Sequence, residues 1–240
     1  MSGSTLCLLF SCSAEDLGWQ EDARMTTELR QEIDALHGAI VADLAERLSE
    51  QPSFRVVIYE TRDSRIESTP LLSARVERRD QAPGLLGKRI HDALKENAEQ
   101  GKTQSTVVFL ARNPLYPQHL LARGIELLGQ EDDVIVISEG GQERHNPSLL
   151  WIAMKRYHPE VVEPNDRWWQ GGTALLQSIA DANALVMSVR SVRNITSVDD
   201  LGYLFHEIER EVLLKQWYPL RTYEVLHRLR REHLIPEVTE

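Results

Sequence analysis

The sequence predicts an α/β protein built on a mixed, mostly parallel β-sheet with helices on both faces. Short apolar runs rich in Val, Ile and Leu alternate with longer segments whose apolar residues recur at helical spacing. Continuous apolar runs of this kind are typical of strands that are covered on both faces. The alternation extends along most of the 240 residues without an internal repeat or a low-complexity linker. We therefore expect one three-layer domain over residues 1–216 and a C-terminal helical extension over residues 217–240.

The individual elements follow from these two patterns. Apolar runs predict strands at residues 5–12, 54–59, 73–77, 106–110, 133–137, 147–154 and 184–189. Helical spacing predicts helices at residues 26–48, 85–101, 116–128, 168–183 and 198–214. Thr26 or Thr27 is the N-cap candidate of the first helix, and Ser197 that of the last. Residues 139–141 are predicted to form a loop. The apolar residues after Tyr218 share one face of a further helix, which can pack on the body or on a second subunit.

Charge and cysteine content argue against several classes of protein. The net charge is −10, whereas nucleic-acid binding needs clustered Lys and Arg to neutralise phosphates, so we expect no nucleic-acid partner. The two cysteines, Cys7 and Cys12, suit neither a structural zinc site nor a disulfide framework, which is typical of a reducing cytoplasm. The first apolar run is too short to span a bilayer and lacks the basic start of a signal peptide. These observations predict a cytoplasmic protein without a membrane span.

A candidate ligand site follows the strand predicted at residues 106–110. Arg112, Asn113 and Pro114 come where this strand ends, and ligands of α/β proteins bind at the carboxyl ends of parallel strands. The alternative is an ordinary strand-to-helix turn, for which Asn and Pro are well suited. Trp168 and Trp169 are further candidates, because paired indoles can stack on a sugar or a base. They can equally pack in the core where a helix begins.

Four segments occur in the order and spacing of a known family. They are residues 84–90 (GLLGKRI), 107–121, 149–160 (LLWIAMKRYHPE) and 193–201 (RNITSVDDL). Together they resemble a bacterial family of glycosyltransferase-like proteins of uncharacterised activity, related to 2-phospholactate guanylyltransferase. The resemblance covers residues 6–209. It implies the GT-A-like fold of nucleotide-diphospho-sugar transferases, with a nucleotide or a sugar nucleotide as the ligand.

The resemblance also implies a metal site whose carboxylates this chain lacks. In such transferases, carboxylates at strand ends hold Mg²⁺ or Mn²⁺ against a nucleotide diphosphate, because hard divalent ions prefer anionic oxygen ligands. The corresponding positions here carry neutral side chains, namely Leu85, Asn113, Asn146, Asn194 and Thr196. Arg193 keeps the arginine of the fourth segment, whereas Met25 and Glu28 replace the basic pair that the family uses to cradle phosphates.

Two functions are compatible with these departures. The neutral substitutions favour a degenerate transferase-like protein without a metal or cofactor, which serves in binding, scaffolding or regulation, as a homodimer or with another protein partner. The alternative is an active glycosyltransferase or nucleotidyltransferase that holds Mg²⁺ or Mn²⁺ and a nucleotide diphosphate through Glu139, Asn113 and Asn146. Dependence of ligand binding on the metal separates the two.

Overall fold

The computed structural model describes residues 4–13, 16, 19, 25–60, 75–101, 104–130, 133–140, 148–162, 168, 171–189, 192–213 and 217–236. The strands are β1 (Thr5–Phe10), β2 (Phe54–Glu60), β3 (Val76–Asp80), β4 (Ser105–Phe109), β5 (Val134–Gly140), β6 (Ser148–Met154) and β7 (Leu185–Ser188). The helices are α1 (Thr27–Ser49), α2 (Leu86–Gln100), α3 (Gln118–Leu128), α4 (Pro159–Val162), α5 (Gly172–Asp181), α6 (Val198–Leu213) and α7 (Leu220–Arg231).

The strands form one sheet in the order β3-β2-β1-β4-β6-β5-β7. β6 runs antiparallel to its neighbours β4 and β5, and the other neighbouring pairs are parallel. The predicted mixed, mostly parallel sheet is therefore confirmed. Because only β6 is reversed, the carboxyl ends of the other strands lie at the same edge of the sheet, where α/β proteins bind their ligands.

Helices cover both faces of this sheet, as predicted. Alternate residues of a strand point to opposite faces. In β1, Cys7 and Leu9 join a core with α1, α3, α6 and α7, whereas Leu6, Leu8 and Phe10 join a second core with α2, α4 and α5. All six residues of β1 are buried, which explains why this strand has no polar alternation.

Helix α1 begins where the sequence indicates. The Thr26 hydroxyl accepts a hydrogen bond from the Leu29 N–H at 3.1 Å, so Thr26 is the N-cap. The helix then packs Ile33, Val41 and Leu44 into the core along most of its length. Among the described helices, none combines the length and the apolar character needed to cross a bilayer.

Several predicted boundaries differ from those of the structure, among them the following three. The strand predicted at residues 73–77 is β3, which begins at Val76, where its pairing with β2 starts opposite Val56; residues 73 and 74 lie outside the described part of the chain. The predicted loop at residues 139–141 is strand as far as Gly140, because pairing with β6 continues beyond a bulge at Ser138 and Glu139. Helix α5 begins only at Gly172, after the Gly171 N-cap, which has a positive φ.

The C-terminal helix packs on the body of the protein. Leu226 and Leu229 of α7 are fully buried in the core that α1 also lines. Pro219 at the N-cap of α7 has no side chain that could accept a hydrogen bond. Asp43 of α1 takes this role and accepts from the N–H groups of Arg221 at 3.4 Å and Thr222 at 2.8 Å. The sequence left open whether this helix packs on the body or on a second subunit. These contacts show that it packs on the body.

Candidate functional site at the carboxyl edge of the sheet

The carboxyl ends of β4 and β5 bring together most of the predicted site residues. Arg112, Asn113 and Pro114 follow β4, and Glu139 lies near the end of β5. Asn194 reaches the same place from the segment before α6, where its side-chain amide donates to the Gly140 carbonyl at 3.1 Å. The structure therefore places Asn113, Arg193 and Asn194 together at this edge through side-chain to backbone hydrogen bonds. Glu139 lies at the end of β5 and contacts the first turn of α5.

Asn113 uses both polar atoms of its side chain to hold this edge together. Its Nδ2 donates to the Arg193 carbonyl oxygen at 2.8 Å, and its Oδ1 accepts from the Leu115 N–H at 2.8 Å. The second bond is an Asx turn, in which the side chain replaces a backbone turn. Asn113 is also largely buried, with 7% of its surface exposed. The side chain that the resemblance aligns with a metal-binding aspartate therefore uses both of its polar atoms in hydrogen bonds within the protein.

The backbone just before this residue is strained. Ala111 has a φ of +48°, a left-handed conformation that costs a residue with a side chain about 1–2 kcal/mol relative to its usual conformations. Its methyl group is buried in the core beside α1. Strain in a left-handed non-glycine residue persists only where the surrounding contacts hold it. Here the Arg112 carbonyl accepts from the Ile195 N–H at 3.2 Å, which fixes the peptide group between Arg112 and Asn113.

Glu139 caps a helix. Its Oε1 accepts a hydrogen bond from the Gly172 N–H at 2.7 Å, at the first turn of α5. Gly171, the N-cap residue of α5, has a φ of +79°, and a Cβ at this position would lie 2.6 Å from the same oxygen. The glycine lets the carboxylate approach the helix, and the positive end of the helix dipole stabilises its charge.

Arg193 and Asn194 precede the first turn of α6, which holds Arg193 in place. Arg193 forms an ion pair with Asp200, with Nη2 at 2.8 Å from Oδ1, and its guanidinium lies 4.2 Å from the centre of the Tyr203 ring. The Ser197 hydroxyl donates to Asp200 Oδ2 at 2.7 Å and accepts from the Asp200 N–H at 3.3 Å. These bonds satisfy the start of the helix in the manner of an N-terminal cap. Asp200 is therefore an acidic residue in the first turn of α6, where it also holds Arg193.

A buried histidine joins the ends of β1 and β4, and sequence reasoning missed it. The Nδ1 atom of His37 accepts from the Cys12 N–H at 3.2 Å, and its Nε2 lies 3.4 Å from the Leu110 carbonyl oxygen. Burial lowers the pKa of His37 to about 4, and the nearby charge of Arg112 acts in the same direction. His37 is therefore neutral at pH 7 with its proton on Nε2. Its place on the apolar face of α1 gave no signal in the sequence.

One buried arginine, Arg112, lies beside this histidine, and a second, Arg89, lies near Cys12. Arg112 is 4% exposed, and burial lowers its pKa to about 10, so it remains protonated at pH 7. Arg89 of α2 pairs with Asp16 at 2.6 Å and donates to Gln81 at 2.6 Å. A cavity of about 10 Å³ between His37, Arg112 and α1 has room for one water molecule. The burial of Cys12 raises the pKa of its thiol, which makes it unreactive at neutral pH.

The remaining predicted residues lie elsewhere or beyond the described part of the chain. Trp168 is 1% exposed and packs in the core with α4 and α5. This position agrees with the alternative that Trp168 is a core residue. Asn146 and Trp169 lie outside the described residues. Within the described ranges, no group of three or more His, Cys, Asp or Glu side chains is placed to hold a metal ion.

Comparison with known proteins identifies the fold. Neither a scan against protein families nor a search of curated proteins gives a match. A protein described as a nucleotide-diphospho-sugar transferase from Desulfovibrio desulfuricans G20 superposes with a TM-score of 0.70 at 16% identity, over 97% of this chain and 99% of that chain. The 4-diphosphocytidyl-2C-methyl-D-erythritol synthase from Anaerococcus prevotii DSM 20548 gives 0.51 at 11% identity, over 88% of this chain and 100% of that chain.

A third structure agrees over part of its length. The bifunctional IspDF from Campylobacter jejuni superposes with a TM-score of 0.52 at 14% identity, over 82% of this chain and 53% of that chain, so this chain matches about half of that protein. These likenesses show the fold. The chain has the GT-A-like fold of nucleotide-diphospho-sugar transferases and cytidylyltransferases, as the resemblance implied.

Proposed function

We propose that this protein acts by binding, as a scaffolding or regulatory member of the transferase fold class, and not by metal-dependent transfer. The observation that carries this proposal is the pair of hydrogen bonds made by Asn113. An amide can donate to the Arg193 carbonyl and accept from the Leu115 N–H at the same time. An ionised aspartate can only accept.

The chemistry at the edge supports the same conclusion. A carboxylate at position 113 would place a negative oxygen 2.8 Å from the Arg193 carbonyl oxygen, where a donor is needed. The edge is therefore built around a neutral side chain. Without charged ligands, a divalent ion is not compensated for the water molecules that it must lose. Asn194 also donates from its amide to a carbonyl, which an ionised aspartate cannot do.

The alternative of an active transferase needs Glu139 as a metal ligand. The Glu139 carboxylate accepts from the Gly172 N–H and lies at the N-terminus of α5. Coordination of a metal ion would compete with this capping bond. We therefore favour the non-catalytic role, and treat metal-dependent transfer as the outcome that would contradict it.

The first ligands to test are nucleotides and sugar nucleotides, because one structural neighbour is named as a nucleotide-diphospho-sugar transferase and another as a synthase of a diphosphocytidyl compound. The thermal unfolding midpoint should be measured with a panel of nucleoside diphosphates and sugar nucleotides, each with and without Mn²⁺. A ligand that binds the folded state raises the midpoint by mass action. We expect any shift to be the same with and without the metal.

A shift that requires both Mn²⁺ and the nucleotide in the wild-type protein, and that disappears in Asn113→Ala, would overturn the proposal. Glu139→Gln provides a matched control, because glutamine keeps an acceptor for the Gly172 N–H but removes the charge. In the transferase alternative this variant loses metal-dependent binding, whereas in our proposal it binds ligands as the wild type does.

A further inference from the structure

A buried arginine is held at the carboxyl ends of β1 and β2. Gln81 donates from Nε2 to the carbonyl oxygens of Ser11 at 2.6 Å and Tyr59 at 2.8 Å, where these two strands end. The Oε1 atom of the same glutamine accepts from Arg89 Nη1 at 2.6 Å. Arg89 is 6% exposed. The sheet, through Gln81, therefore fixes the guanidinium at the edge where α/β proteins bind their ligands.

The carboxylate that meets this guanidinium comes from the segment between β1 and α1. Asp16 Oδ1 lies 2.6 Å from Arg89 Nη2, and Oδ2 accepts from the Ser13 N–H at 3.1 Å. The Ser13 hydroxyl accepts in turn from the Asp16 N–H at 3.1 Å. Ser13 is exposed and the Asp16 side chain is 21% exposed, so the carboxylate lies at the boundary with solvent. A guanidinium and a backbone N–H that converge on one carboxylate are the donors that an oxyanion site needs.

Asp16 uses only part of what Arg89 offers. A guanidinium binds a phosphate or a carboxylate best through two parallel N–H bonds. The Nη1 atom of Arg89 is bonded to Gln81 and Nη2 pairs with Asp16, but the buried Nε finds no acceptor among the groups that the structure describes. A buried donor without an acceptor is costly. An anion that reaches Nε and Nη2 together would make the bond that Asp16 leaves unmade.

The surroundings favour an anion with more than one negative charge. Burial is the main reason why the pKa of the Cys12 thiol is raised; the charge of Asp16 acts in the same direction, and those of Arg89 and Arg112 oppose it. These three charges therefore lie close to one thiol, and two of them are positive. A phosphate group carries a charge of about −1.5 to −2 at pH 7, so it is attracted to the two guanidinium groups more strongly than a carboxylate is.

We propose that Arg89 and the Ser13 N–H form a binding site for a phosphate group, and that Asp16 occupies this site as an internal competitor. The inference rests on the proposed binding function, and adds the chemical class of the bound group and the contact that must break. A phosphate that enters the site displaces Asp16 from Arg89, while Gln81 keeps the guanidinium in place. The affinity for the phosphate is reduced by the fraction of molecules in which Asp16 holds the site.

Calorimetric titration of the full chain with inorganic phosphate, without metal, tests the proposal. We expect Asp16→Asn to bind phosphate at least about tenfold more tightly than the wild type. Asparagine can still accept from the Ser13 N–H, but it carries no charge to compete for Arg89. Asp92→Asn is the matched control, because Asp92 pairs with Lys88 at the same distance of 2.6 Å on the surface of α2. This control should bind phosphate as the wild type does.

Removal of the arginine tests whether the phosphate binds at this site. Arg89→Gln should abolish the binding. If that variant does not fold, the double variant Asp16→Asn, Arg89→Gln answers the same question, because it removes both charges of the buried pair together. The double variant, once its cooperative unfolding in urea shows that it is folded, should lose the phosphate binding that Asp16→Asn gains.

Titration of Asp16→Asn with cytidine diphosphate identifies the source of the phosphate. Tighter binding of cytidine diphosphate than of inorganic phosphate assigns the site to a nucleotide, and equal binding assigns it to the phosphate group alone. Equal phosphate affinities of the wild type and Asp16→Asn, or phosphate binding that survives in the double variant, would overturn the proposal. Because these titrations contain no metal, they can fail or succeed independently of the Mn²⁺-dependent shift that would contradict the non-catalytic role.

Discussion

Asp43 and Thr222 are joined by two hydrogen bonds across 179 positions of the chain. One carboxylate oxygen of Asp43 accepts from both the backbone N–H and the hydroxyl of Thr222, each at 2.8 Å. The other oxygen pairs with Arg221 at 3.0 Å. A side chain of α1 thus acts as the N-cap of α7, because Pro219 at the cap position offers no acceptor.

Removal of this cap should be strongly destabilising. Asp43 is 2% exposed, so Asp43→Ala leaves the buried donors of Thr222 without an acceptor and removes one of the two carboxylates that pair with Arg221. We expect a loss of about 3 kcal/mol in the free energy of unfolding, measured by urea denaturation. Glu46→Ala is the control, since Glu46 pairs with the same Arg221 but is 44% exposed, and should cost less than about 1 kcal/mol. Equal losses in the two variants would show that Asp43 does not cap α7.

Conversion of Asn113 to aspartate should destabilise the protein, and the loss of stability should depend on pH. An ionised aspartate at this position would face the Arg193 carbonyl oxygen without a proton to donate, so Asn113→Asp should lose about 2 kcal/mol of stability at pH 7. When the introduced carboxyl is protonated it can donate again, and the difference from the wild type should shrink as the pH falls toward about 4. The measurement is urea denaturation of both proteins at each pH. A variant as stable as the wild type at pH 7 would argue that the Asn113 amide is not structural.

His37 should make the stability of the protein depend on pH. Its pKa is lowered from 6.5 to about 4 in the folded state, so the unfolded chain binds the proton more tightly. The stability that it contributes is complete above pH 6.5 and is lost as the pH falls toward 4. This shift corresponds to about 3 kcal/mol. His37→Gln, which keeps a donor and an acceptor but does not titrate, should show a flatter profile between pH 6.5 and 4 in urea denaturation. The same slope in both proteins would assign the pH dependence to other groups.

Relief of strain at Ala111 should offset the loss of its methyl group. Ala111→Gly removes a left-handed alanine that costs about 1–2 kcal/mol, but it also loses a buried methyl worth about 0.8 kcal/mol and makes the unfolded chain more flexible. We expect little net change in the unfolding midpoint. Ala153→Gly in β6 has the same losses at a fully buried site without a positive φ, and should be destabilising by about 1–2 kcal/mol. If Ala111→Gly lost more stability than Ala153→Gly, the left-handed conformation of Ala111 would not be a source of strain.

Much of the architecture was predictable because it depends on local patterns. The continuous apolar run of β1 and the helical spacing of Leu29, Ile33 and Leu36 reflect burial that repeats with the geometry of each element. The cap of α1 was predictable to within Thr26 or Thr27 for the same reason, and the structure selects Thr26, whose acceptor and donor lie three residues apart. The carboxyl edge after β4 was also predictable, because the order of strand, turn and helix places Asn113 there.

The roles of the individual side chains were not predictable from local patterns. The sequence by itself determined the layered α/β fold, the neutral residues at the edge and a strand at about residues 184–189. Only the tertiary structure decided that Asn113 holds the Arg193 carbonyl, that Glu139 caps α5, and that Asp43 caps α7. These contacts join residues that are 33 to 179 positions apart. A hydrogen bond depends on distances of a few tenths of an ångström between such residues, and that proximity exists only once the chain has folded.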